Sequence, residues 1–196
     1  MKKRLIISIA VGIVISVILA SFGVFAKDCS SIREKVLRLH ILANSNDTAD
    51  QALKLKVRDR ILTESKSIFA TGDKQKAETE IDSNMKKIED IANDEIRKQG
   101  YTYKARAERV NMFFTTRDYG NITMPAGKYD ALRITIGEAI GQNWWCVLYP
   151  PICLPSSQPK EQLDDVLTSS ETDIVQNKSK YEVRFALLEF FEKLFS

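Results

Sequence analysis

The sequence predicts an α+β fold: a two-layer sandwich with a mainly antiparallel four-stranded sheet and two helices on one face. An apolar helix precedes this unit and an amphipathic helix follows it. Three observations predict the arrangement. Residues 36–43 alternate with a period of two. Two runs, within 48–61 and 76–99, carry apolar residues at helical spacing. Beyond Gly100 the chain returns to strand-like alternation broken by short turns.

Met1-Lys2-Lys3-Arg4 is a basic leader, and no residue from Leu5 to Ala26 is charged. An uncharged run of this length matches the roughly 20 residues that cross a bilayer. Val24 and Ala26 also place small residues at the −3 and −1 positions of a cut before Lys27. Residues 1–26 are therefore read as a signal peptide or membrane anchor, with the cut favoured over retention. Either way the basic leader stays inside and the rest of the chain is exported.

All 26 acidic residues and 26 of the 29 basic ones follow that leader, so the exported part is formally neutral. A neutral domain lacks the basic footprint that nucleic acid demands. The remaining length suits one modest domain with a core of its own.

In the first strand, Leu37, Leu39, Ile41 and Ala43 share one parity, and Arg38 and His40 fall on the other. Asn44-Ser45-Asn46-Asp47 ends it with side chains that compete for backbone hydrogen bonds. Thr48 and Gln51 have the spacing of a capping box. The helix they open gathers Ala49, Ala52, Leu53, Val57 and Ile61 on one face. A second helix, about Lys76 to Gln99, carries Ala77, Ile81, Met85, Ile88, Ala92 and Ile96 at helical spacing, and Gly100 stands where a left-handed cap is wanted.

Residues 101–116 and 129–136 read as strands, with Arg117 to Asn121 as a turn and Pro125-Ala126-Gly127 as a loop. Asn143 to Cys153 follows, holding both tryptophans, Trp144 and Trp145, beside Cys146. Val147 to Tyr149 is strand-like, and Pro150-Pro151 must stop it because neither can donate to a ladder. Short links make an antiparallel meander the expected order. The domain is assigned to 27–154. Residues 155–179 form a polar linker, with a marginal helix near Lys160–Leu167. Residues 180–196 form a helix with Val183, Leu187, Phe190, Phe191 and Leu194 on a wide apolar face.

Candidate chemistry is sparse. Cys146 and Cys153 are the candidate disulfide pair by proximity, against a reading as two buried thiols; Cys29 is left over. His40, the single histidine, is read as a satisfied or solvated strand residue rather than a base. A Cys146–His40 nucleophilic pair has nothing in the sequence to align it. No pattern calls for a metal or a cofactor. Arg117, Asp118 and Tyr119, with Trp144 and Trp145, are the partner-binding candidates, because Arg, Tyr and Trp are favoured anchors of interfaces.

Several segments resemble the stage II sporulation protein R family. They are Leu39 to Ser45, Asp50 to Asp59, Pro125-Ala126-Gly127 with Tyr129 and Ala131-Leu132-Arg133, and above all Asn143-Trp144-Trp145-Cys146-Val147-Leu148-Tyr149-Pro150-Pro151-Ile152-Cys153. Val183-Arg184-Phe185 is similar to that family's closing helix. Asn46, where an acid is commoner, and Ala139-Ile140 depart from the pattern in two loops. The resemblance implies a non-enzymatic signal made in the forespore of an endospore-forming bacterium. It is exported into the space between the two membranes that part forespore from mother cell. There it activates a membrane-embedded protease of the mother cell that processes an early pro-sigma factor. Membrane contact is expected only through the N-terminal segment. The alternatives are an exported hydrolase and a membrane-anchored structural protein of the sporulation septum.

Overall fold

A computed structural model describes residues 2–69, 72–152 and 163–195. In chain order the described elements are α1 (Lys2–Lys35), β1 (Leu37–Leu42), α2 (Thr48–Glu64), α3 (Lys66–Phe69), α4 (Lys74–Ser83) and α5 (Met85–Lys98). Then come β2 (Ala105–Phe114), β3 (Arg117–Tyr119), β4 (Ile122–Met124), β5 (Gly127–Ile136), β6 (Asn143–Tyr149), α6 (Ser169–Gln176) and α7 (Lys178–Phe195). The α+β class is as expected.

The sheet order is β2-β5-β1-β6, and it is mixed rather than mainly antiparallel. β1 runs parallel to β5, while β6 on β1 and β2 on β5 are antiparallel. The expected meander holds for β2 and β5 but fails at β6, because β1 lies between β5 and β6. The link at 137–142 passes over the end of β1, where the Ile140 and Gly141 amides donate to the Asn44 and Ala43 carbonyls. Gly141 is required by that passage: a Cβ there would sit 2.1 Å from the Ser45 carbonyl oxygen.

The two-layer expectation is also corrected, since both faces of the sheet are covered. One face carries Leu37, Leu39, Ile41, Leu132, Ile134 and Ile136 against apolar residues of α2–α5. The opposite face carries Ala131, Tyr129, Phe114 and Val147 beneath α1, β4, α6 and α7. Alternation along β1 sends Leu39 to the first core and Arg38 and His40 to the second.

The first expected helix is α2, one residue shifted at its start. Asp47 is the N-cap and makes no side-chain cap bond, so the Thr48–Gln51 box does not form; the Gln51 side-chain amide donates instead to the Ser45 carbonyl. The second expected helix is broken at Asn84 into α4 and α5, and the Asn84 side-chain amide donates to the Glu80 carbonyl. Segment 155–179, expected as linker, contains α6 with a complete Thr168–Glu171 capping box. Its Ile174 and Val175, with Leu163 and Leu167, enter the second core. Ser169 and Ser170 of α6 are exposed, while Glu171 is buried and pairs with Lys35. The expected helix near Lys160 lies partly outside the described residues.

α1 runs unbroken through Val24-Phe25-Ala26, and Phe25, Cys29 and Ile32 are buried in the second core. In α7 the buried stripe is Tyr181, Phe185 and Leu188, whereas Val183, Leu187, Phe190, Phe191 and Leu194 are exposed.

Candidate functional site

The dense N-W-W-C stretch lies on β6, and the two-residue period of a strand sends its tryptophans to opposite faces. Trp144 is paired in register with Ile41 and packs against the first core, where the Arg58 guanidinium of α2 lies 4.9 Å from its ring centre. Trp145 is paired with His40 on the other face. Its indole is stacked on the imidazole at 3.9 Å and meets Phe114 edge-on at 4.8 Å.

Beneath this pair sits Arg38, fully buried. Its guanidinium carbon is 4.4 Å from the centre of Phe114, 4.9 Å from Tyr129 and 5.5 Å from Tyr119. Nε donates to the Cys146 carbonyl at 3.1 Å, and one terminal nitrogen donates to the Tyr119 hydroxyl at 2.6 Å. The other terminal nitrogen is buried without a hydrogen-bond partner among the described residues. Among the described residues, ring faces rather than a carboxylate hold this cation. Burial raises the Tyr119 pKa, and the Arg38 charge opposes that rise.

His40 is 3% exposed. Its Nε2 is 2.7 Å from the Asn143 side-chain oxygen. Burial pulls its pKa down to about 4; the Asn143 bond opposes the fall and the Arg133 charge adds to it. The ring is neutral at pH 7 and donates through Nε2, leaving Nδ1 without a partner among the described residues. His40 is a structural member of the platform rather than a poised base.

Cys146 is disulfide-bonded. It is paired with Leu39 and belongs to the first core, so it lies on the face away from His40. Both facts remove the Cys146–His40 nucleophilic pair. Cys153 lies outside the described residues. Cys29 is a free, buried thiol whose pKa burial pushes up to about 12, which leaves it inert as a nucleophile.

Residues 117–119, expected as a turn, form β3 of a small hairpin with β4, and the turn is confined to Gly120-Asn121. Arg117 is exposed and its guanidinium lies 5.5 Å from the Trp145 ring centre. Asp118 accepts from Thr123 at 2.7 Å and pairs with Lys178 at the start of α7 at 2.6 Å. Its pKa is lowered, chiefly by that lysine. The five partner-binding candidates thus divide. Arg117 and Trp145 meet at the surface, Tyr119 props Arg38 from below, Asp118 ties the hairpin to α7, and Trp144 is on the other side of the sheet.

Arg38, Phe114, Tyr129 and Asn143 complete the cluster without having been singled out together. The available signal was Arg38 and His40 on one parity of a strand whose other parity is wholly apolar. The Asn44-Ser45 segment serves the fold. Both side chains donate to the Asp50 carboxylate, at 2.7 and 2.6 Å. Those bonds hold the Asp50 pKa below the usual range. The Lys54 ammonium donates to the Gln142 carbonyl at 3.0 Å. This set joins the end of β1, the start of α2 and the link into β6.

Residues 33–159 match the family model described as stage II sporulation protein R. The chain is 34% identical to the stage II sporulation protein R of Bacillus subtilis (strain 168), with 84% of each chain covered. No solved structure matches. The matched residues begin at the end of α1 and contain the whole sheet, the Arg38 cluster and both tryptophans.

Proposed function

The chain belongs to the stage II sporulation protein R family, and from that premise we propose that it works in sporulation as an exported signal, acting through its folded surface on a membrane-embedded protease. The protease is that of the mother cell which trims an early pro-sigma factor. Docking on its extracytoplasmic side favours the active arrangement by binding that state more tightly than the inactive one. The observation that carries the contact site is Arg117, exposed and laid over Trp145. Trp145 is fixed from behind by His40 and Phe114. A rigid aromatic with an arginine at its rim is the usual chemistry of an interface anchor.

We place the protein in the space between the two membranes, tethered by α1. Phe25 supports retention of the N-terminal segment: it is 2% exposed and packs on Tyr181 and Phe185 at 5.6 and 5.4 Å. A cut before Lys27 would open the second core. The hydrolase alternative loses its best nucleophile, because Cys146 is bonded and faces away from His40.

The test is reconstituted cleavage of the pro-sigma factor by the protease in vesicles, with and without the purified chain. Cleavage should require the chain, and Arg117→Ala should impair it while leaving thermal unfolding unchanged. Cleavage that proceeds equally without the chain, or an Arg117→Ala protein of full potency, overturns the respective part.

A further inference from the structure

α7 carries two apolar stripes. Tyr181, Phe185 and Leu188 are buried in the second core, on Phe25 among others. Val183, Phe190 and Leu194 are 72, 61 and 64% exposed, and Leu187 and Phe191 extend the same stripe. Spaced at i, i+4, i+7 and i+11, residues 183, 187, 190 and 194 run for about 16 Å along the helix. One face of the helix satisfies the domain, and the second faces away from it.

The place where α7 meets α1 identifies what covers that second stripe. Arg184 donates to the Ser21 hydroxyl at 3.0 Å, and Phe191 lies 6.2 Å from Phe22. These contacts fall within the last turns of the apolar run of α1, before Lys27. That run is long and apolar enough to cross a membrane, and its large side chains from Leu5 to Leu19 are exposed. A groove of about 620 Å³ joins the two surfaces, with Val17, Ile18 and Leu19 on one wall and Val183, Leu187 and Phe191 on the other. The exposed stripe of α7 is therefore continuous with the exposed apolar surface of α1. Lys180, Glu182 and Arg184 line the same groove at its α7 end, and the Lys180 ammonium is paired with Asp173.

We propose that α7 is an interfacial membrane helix, with Val183, Leu187, Phe190, Phe191 and Leu194 seated in the head-group and upper acyl region beside the point where α1 leaves the bilayer. Helices of this kind sink their apolar face about 5–10 Å into that boundary. The seat gives the domain a second membrane contact besides the span. It also fixes the orientation of the sheet, since Asp118 beside the Arg117–Trp145 platform is held to α7 through Lys178.

The test uses the full chain in vesicles of phosphatidylethanolamine and phosphatidylglycerol. A polarity-sensitive fluorophore is attached at Leu187→Cys, at Phe190→Cys and, as a water-exposed control, at Lys104→Cys; labelling of the unmodified chain sets the background. Probes at 187 and 190 should emit to the blue of the control, and lipids bearing a shallow nitroxide should quench them severalfold more. Helical circular dichroism equal to that of the unmodified chain confirms each labelled protein is folded. Probes at 187 and 190 as wet and unquenched as the control overturn the proposal. So does shielding that rises with the protein-to-lipid ratio and resists the nitroxide lipids, because the stripe is then covered by a second copy. No protease is present, so this outcome is independent of the signalling role.

Discussion

The indole of Trp145 lies parallel to the imidazole of His40, 3.9 Å away and tilted by only 6°. Their strands pair antiparallel, with the two residues in direct register. The histidine of this stack is buried, which disfavours its charged form and gives a pH signature.

Unfolded His40 protonates near 6.5, whereas the folded ring does so near pH 4. The depressed folded value means that its contribution to stability is complete above about pH 6.5. It falls as the pH drops through that value and is fully lost below about 4, a total of roughly 3 kcal/mol. Because His40 is the single histidine, the slope of unfolding free energy between pH 6.5 and 5 is mainly its own. Urea titrations should show that slope in the unmodified chain and a much flatter one in His40→Gln.

Tyr119→Phe removes the hydroxyl that accepts from the buried Arg38. A charged donor left without its partner costs about 1–3 kcal/mol. Arg38→Met should make the loss of that hydroxyl nearly neutral, since the cage of Phe114, Tyr129 and Tyr119 then surrounds an apolar chain. A double-mutant cycle by chemical denaturation measures this; additive effects would show that the two side chains are not coupled.

Phe25→Ala should lower the stability of the full chain in mild detergent by about 3–5 kcal/mol, the range for deleting a buried phenyl ring. Leu19→Ala, a few residues earlier and 66% exposed, should leave it within experimental scatter. Equal effects of the two substitutions would mean that the end of α1 is no part of the core.

Gly141→Ala drives a methyl into the Ser45 backbone carbonyl. It should destabilise by about 1–3 kcal/mol, through the backbone shift that overpacking forces. Gly72→Ala, with nothing within 4 Å, should change stability by less than about 0.5 kcal/mol. Thermal unfolding of the two variants checks the contrast.

Local chemistry was enough to place most elements. The alternation of Leu37, Leu39 and Ile41 marked β1, Pro150 ended β6, and the apolar spacing from Ala77 to Ile96 marked helix, though Asn84 divides it. Each of those signals lies within a few residues of what it determines. The composition of residues 5–26 likewise determined an apolar helix, and the tryptophan–cysteine stretch pointed to the family.

Tertiary structure alone decided what lies on each side of those elements. Pairing order depends on contacts far apart in the chain, so nothing local to β6 could say that β1 would sit between it and β5. Arg38 and His40 made one face of β1 read as polar, yet that face is buried, because aromatic rings from β2, β3, β5 and β6 converge on them. Alternation separated Trp144 from Trp145, and only the position of β3 brought Arg117 to the latter. In α7, helical spacing found the apolar residues, but a helix with two apolar stripes leaves open which one the domain takes. The fold took Tyr181, Phe185 and Leu188 and left the wider stripe facing outward, beside the apolar part of α1.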